Sequence, residues 1–165
     1  PRARARGAVT LALRKASARD AETLFAVQKA SSLAALAHIF PTAYPFPDEA
    51  VHASWRDAVA GADGRRVLVA ERDGVVVGGV SFSRRGVDAL YVVPAAWRQG
   101  VGSALHDAAV EELRAVSDEA RLWVLADNAD ARRFYERRGW RPDGREQAVT
   151  FPPHPLEVGY SLRLR

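Results

Sequence analysis

The 165 residues suit one compact domain, 1–165, around one core, since nothing along the chain reads as a linker. With no cysteine, the chain excludes disulfides, thiol nucleophiles and thiolate metal sites, and fits a reducing cytoplasm. The formal charge of +4 and the pI near 10.0 are not a nucleic-acid signature: Arg2, Arg4 and Arg6 lie in a basic tail expected to fray over residues 1–7, removing them takes +4 to +1, and the remaining basic residues are interspersed with acids.

Residues 9–13 read as a first strand. Ser17 with Asp20 three residues later resembles a helix start before Ala21, Leu24, Phe25 and Ala26, and residues 31–40 form a second helical pattern. Pro41, Pro45 and Pro47 then forbid a regular element, and a helix resumes over 48–60. Strands are predicted over 66–71, 75–82 and 87–93, joined by the hairpin turns Arg72-Asp73-Gly74 and Ser83-Arg84-Arg85-Gly86. A long helix over 100–116 leads to a strand over 120–126, a helix over 128–138, a strand over 140–148 and a last strand over 156–164. A meander followed by strand, helix, strand, helix and strand predicts a mixed, mostly antiparallel sheet of about seven strands with helices on both faces, an α/β (α+β) class. An exposed sheet edge over 156–164 would permit a homodimer.

His38, His52, His106 and His154 are scattered, without ligand spacing, so no metal is expected. No apolar run approaches bilayer length and the chain opens on no secretory pattern. The expectation is a soluble, cytoplasmic protein with neither membrane nor nucleic-acid partners.

The most informative stretch is 89–102, A-L-Y-V-V-P-A-A-W-R-Q-G-V-G. An apolar strand, polar only at Asp88, runs into a loop bared by Gly100 and Gly102. A helix follows, with Val101, Leu105, Ala108, Ala109 and Leu113 on one side and His106, Asp107, Glu111 and Arg114 on the other. The first amides of a helix lack internal partners and its dipole favours anions, so strand, glycine loop and helix start make a place for a phosphorylated ligand. Further on, Asn128 is a good N-cap for a helix carrying Ala131, Phe134, Tyr135 and Arg138, and Gly139 is a natural stop. Asn128 and Tyr135 share a face, roughly 10 Å apart along the axis, within reach of one long thin ligand. Tyr135 also reads as a core aromatic beside Phe134.

Val93-Pro94 followed by Arg98-Gln99-Gly100-Val101-Gly102-Ser103-Ala104-Leu105 resembles the acetyl-coenzyme A loop of the GCN5-related N-acetyltransferases (GNAT), whose pattern is Gln/Arg-x-x-Gly-x-Gly/Ala. Leu122-Trp123-Val124 and Asn128-x-x-Ala131-x-x-Phe134-Tyr135-x-x-x-Gly139-Trp140 resemble the same family's second signature, in the right order and separation. Trp97 departs from the pattern, standing where the first polar residue would be. Backbone amides, which tryptophan also presents, carry most of the pyrophosphate binding in this family.

The resemblance implies a GNAT-like acyl-CoA N-acyltransferase fold and an acetyl-CoA-dependent N-acetyltransferase. The acceptor would be a primary amine: a small metabolite, an antibiotic, or a peptide or protein amine. It implies cofactor contacts from Leu90, Tyr91 and Val92 on the strand, from Arg98, Gln99, Gly100, Val101, Gly102 and Ser103 in the loop, and from Asn128 and Tyr135. By the same resemblance Tyr135 is the proton donor to the leaving thiol. Asp88, the only carboxylate from Val87 to Val101, is a candidate base; it reads equally as a partner for Arg84 or Arg85, and deprotonation through water is a third route. The acceptor is expected against residues 31–56, where His38, Tyr44, Phe46, Asp48 and Glu49 could hold a cationic amine. A different class of function, a regulatory domain that senses acetyl-CoA without transferring its acetyl group, fits the same loop.

Overall fold

Strand pairing organises the molecule. The computed structural model describes residues 10–165, so the expected basic tail and Val9 lie outside it. Seven strands form one sheet: β1 (Leu11–Lys15), β2 (Arg66–Arg72), β3 (Val75–Ser83), β4 (Gly86–Val92), β5 (Glu119–Leu125), β6 (Arg141–Ala148) and β7 (Leu156–Arg163), in the spatial order β1-β2-β3-β4-β5-β7-β6. Every neighbouring pair is antiparallel except β4 with β5. The β2–β3 turn falls where expected: Asp73 and Gly74 both take positive φ, 52° and 77°, the backbone of a tight two-residue hairpin.

Helices cover both faces. α1 (Ala21–Ala35) and α2 (Asp48–Val59) pack Leu24, Val51 and Trp55 on Val67 and Val69, and the Trp55 indole ties the two helices by donating to Gln28 Oε1 at 2.8 Å. On the other face α3 (Val101–Arg114) sinks Leu105, Ala109 and Leu113 against Val80 and Phe82. Leu105 and Leu113 are fully buried, sites where truncation to alanine costs about 2–5 kcal/mol. The short α4 (Ala129–Glu136) has no fully buried residue. It is fastened by the buried Tyr160, whose hydroxyl donates to Glu136 Oε1 at 2.7 Å and accepts from Arg132 Nε at 3.0 Å. Among the described residues no helix is long and apolar enough to cross a membrane.

Two expectations are corrected. Residues 31–40 are not a separate helix: Ser31 and Ser32 continue α1 to Ala35, and turns follow. Residues 156–164 are not a sheet edge, because β7 pairs with β5 on one side and β6 on the other. The edges are β1 and β6, and β6 is exposed along nearly all its length.

β4 and β5 meet at a single register pair, Gly86 with Arg121, reinforced by the Arg121 N–H bonding to Arg85 O at 2.8 Å. Beyond it the strands part. Opposite β3, Phe82 faces Val87 and Ser81 faces Ala89, so Asp88 is the extra residue of a bulge beside the opening. The contact depends on glycine: at φ +143° a Cβ on Gly86 would lie 1.8 Å from Arg121 O and 2.4 Å from Arg121 N, both backbone atoms that cannot move alone. Gly86→Ala is therefore expected to cost about 2–4 kcal/mol and lower the thermal midpoint by roughly 5–15 °C. An unchanged midpoint in a melting scan would show that the two strands tolerate a wider junction.

Candidate active site

The opening between β4 and β5 holds a cavity of about 370 Å³. Its walls come from β4 (Val87 to Tyr91), β5 (Leu122 to Leu125) and α4 (Asn128, Ala131, Tyr135). On the opposite side lie α1 and the segment after it, with Val149 and Phe151 from the β6–β7 connection. Because residues of both helical layers line it, the space passes through the sheet. Of the expected site residues, Asp88, Leu90, Tyr91, Asn128 and Tyr135 meet around this one cavity; Val92 and residues 98–103 lie outside its lining, at the C-terminal end of β4.

In the loop after β4, Arg98 and Gly100 both take left-handed backbone, with φ 58° and 82°, and Gly100 is the N-cap of α3. The first bond of the helical ladder is Ala104 N–H to Gly100 O, 3.0 Å, so the amides of Val101, Gly102 and Ser103 stand ahead of it. A Cβ on Gly102 would make only ordinary contacts with Phe134 and Val92, at 3.8 Å, so protein packing does not demand the glycine. Amides ahead of a helix, no Cβ at Gly100 or Gly102, and an open approach fit a diphosphate.

The side chains of the loop divide. Gln99 braces it from within, accepting from Arg72 Nη1 and donating to Ala95 O at 2.9 Å, and so is not turned to a ligand. Trp97 donates its indole N–H to Val92 O at 2.7 Å, capping the end of β4 while its ring stays half-exposed. Arg98 is exposed at the loop. Ser103 Oγ accepts from Arg138, whose guanidinium lies 3.8 Å over the Phe134 ring; the turn after α4 thus sets a positive charge beside the first turn of α3.

Asn128 caps α4 as expected, its Oδ1 accepting from Ala131 N–H at 3.2 Å. The Tyr135 ring is clamped edge-on between Phe134, 5.2 Å away, and Trp140, 5.9 Å away. Burial raises the Tyr135 phenol above its usual pKa, with a smaller contribution from Tyr91. Burial likewise pushes Tyr91 up to about 12, aided by the charge of Glu157. Both phenols are therefore protonated at neutral pH.

Asp88 has an open face to solvent, yet the walls around it desolvate the carboxyl and push its pKa up; Arg65 and Arg85 pull the other way, through space. It forms no ion pair with Arg84 or Arg85 among the described residues.

His106, which helical spacing puts on the polar side of α3, is 3% exposed. Its Nε2 accepts the Trp140 indole N–H at 2.9 Å and its Nδ1 donates to Asp107 Oδ1 at 2.8 Å. Burial lowers its pKa against the opposing pull of Asp107, so the imidazole stays neutral and locks α3 to the turn after α4.

Around the expected acceptor segment, Tyr44 and Phe46 line the cavity, whereas His38, Asp48 and Glu49 do not. The His38 ring bonds Asp127 O at 3.1 Å, and Asp48 pairs with Lys29 at 2.8 Å. Sequence reasoning missed Glu157 and Arg138. Glu157 lines the cavity from β7, where its register partner on β5 is Leu125, a placement that local spacing does not reveal. Arg138 was visible only as one more residue of the helix expected over 128–138. Among the described residues no cluster of side chains could hold a metal ion.

Residues 30–140 match the model of the Acetyltransferase (GNAT) family. A Mycobacterium tuberculosis protein named as a probable N-acetyltransferase is 33% identical over an alignment of 112 positions that covers 60% of this chain and 61% of the relative; the chain thus spans under two thirds of the curated relative it matches. The PaiA N-acetyltransferase of Thermoplasma acidophilum, solved with coenzyme A, aligns over 93% of this chain and 99% of its own at TM-score 0.75 and 18% identity. YncA of Salmonella typhimurium, solved with acetyl-CoA, aligns over 94% and 95% at TM-score 0.68 and 21% identity. At these identities the likeness is one of fold.

Proposed function

From the premise that the chain belongs to the Acetyltransferase (GNAT) family, we propose that it moves the acetyl group of acetyl-CoA to a primary amine by direct attack. One observation carries this: the amides of residues 101–103, ahead of the α3 ladder, follow the C-terminal end of β4, and the opening beside that strand brings Asp88 and Tyr135 around a single cavity. The solved neighbours that hold coenzyme A or acetyl-CoA support the choice of donor.

The amides of Val101, Gly102 and Ser103 would hold the diphosphate, with Arg138 adding positive charge beside them. The edge of β4 beyond Gly86, including Leu90 and Tyr91, lacks a strand partner on the β5 side and would hold the pantetheine arm. The donor supplies an activated thioester carbon. Attack forms a C–N bond and breaks the C–S bond; the amine gives up a proton and the sulfur takes one.

Asp88 is suited to accept the amine proton, directly or through water, because its raised pKa brings it nearer to neutrality than an ordinary aspartate. Tyr135 is suited to protonate the sulfur. Its phenol is harder to ionise in this site, so it holds its proton until the thiolate departs beside it.

Tyr135→Phe should lower turnover by roughly 100-fold, while acetyl-CoA raises the thermal midpoint as in the parent protein. Full turnover in a thiol-release assay would remove Tyr135 from the reaction. For Asp88 the readout is the pH profile. In the parent protein kcat/KM should fall with acid through a pKa above the ordinary aspartate value, since a raised pKa leaves the base protonated at higher pH. Asp88→Asn should lose that limb, and an unmoved profile would assign the proton to another acceptor.

A further inference from the structure

The cavity that Asp88 and Tyr135 share also has a composition, and it selects among amines. Facing its acceptor side are Leu33, Leu36, Phe40, Tyr44, Trp123 and Phe151. Among the described residues, those lining it include no lysine, arginine or histidine; the charged ones are two carboxylates, Asp88 on β4 and Glu157 on β7. Some of the polar side chains are already engaged: Gln28 accepts from Trp55 at 2.8 Å, and Glu157 accepts from Gln147 at 2.9 Å.

We infer that the acceptor is a small primary amine with an apolar or aromatic body and no acidic group. This rests on the acetyl-transfer reading and narrows it. A free alkylamine is protonated at neutral pH, like a lysine side chain, so it arrives as an ammonium ion. Two carboxylates and several ring faces receive such an ion and an apolar body together. A carboxylate or phosphate on the acceptor would meet the like charge of Asp88 and Glu157, while Arg145, stacked on the Trp123 ring, is already paired with Asp143 at 2.6 Å, and Arg65 and Arg85 act on Asp88 only through space. A polyhydroxylated amine would set most of its hydroxyls against leucine and aromatic carbon, with few partners besides Ser32, Thr42 and Tyr44. The cavity, near 370 Å³, must also admit the thioester end of the donor, so what is left suits a small acceptor.

The test titrates the coenzyme A-loaded protein by calorimetry with phenethylamine, with phenylalanine, which is the same body carrying a carboxylate, and with glucosamine. Phenethylamine should bind at least about 30-fold more tightly than either. Glu157→Gln should weaken phenethylamine about 10-fold without improving glucosamine. Equal or tighter binding of phenylalanine or glucosamine, or no binding of phenethylamine, overturns the inference. Thiol release from acetyl-CoA with the same amines separates the two readings. Preferred binding of phenethylamine without thiol release would sink acetyl transfer and keep the ligand class. Thiol release that favours glucosamine or phenylalanine would sink the ligand class and keep acetyl transfer.

Discussion

Gly86 and Arg121 can touch only because one of them has no side chain, and the rest of the site depends on that contact. Neighbouring strands gain by pairing along their length, since every unpaired main-chain N–H and C=O held from water costs free energy. Here the parallel pair closes at one point and then opens. The bulge at Asp88 turns β4 beside the junction, and β5 places its ladder on the other side, with β7 over seven residue pairs from Glu119 to Leu125. A sheet whose other neighbouring strands pair at five or more positions thus carries one built-in cleft, with main-chain groups left for a ligand.

The surroundings of that cleft are braced with little freedom. His106 is buried neutral between α3 and Trp140, Arg138 links α4 to the first turn of α3, and Gln99 and Trp97 secure the loop to β2 and β4. These bonds fix the relation of the amides ahead of α3 to the phenol of Tyr135, a preorganisation that costs nothing when a ligand arrives. They also explain how the loop accommodates Trp97 where the family pattern has a polar residue. Its indole N–H caps the end of β4 and leaves the main-chain amides of residues 101–103 alone.

What was legible in the sequence was local. The Asp73-Gly74 turn, the N-cap at Asn128 and the Gly100 start of α3 follow from residues within a few positions of one another, and all stand where spacing puts them. The GNAT membership and the mixed seven-stranded sheet were carried by two motifs and an order of elements. The misplaced features need contacts across the fold. Ser31 and Ser32 look like a helix start, yet α1 runs through them because Leu24 and Val27 already anchor it to the sheet. The inner position of β7 is a matter of strand order. The polar, exposed run of β6 was the available sign that it, and not β7, is the edge. His106 could not be seen as buried without Trp140, thirty-four residues away, as its partner.

The central claim is that a diphosphate sits on the amides ahead of α3 and directs a thioester into the opening between β4 and β5. A crystal structure of the protein with acetyl-CoA tests it most directly. Phosphate oxygens about 3 Å from the amide nitrogens of Val101, Gly102 and Ser103, with the pantetheine arm lying between the two strands, is the predicted result. Acetyl-CoA bound elsewhere, or the Trp97 indole filling the mouth of the loop, would contradict it.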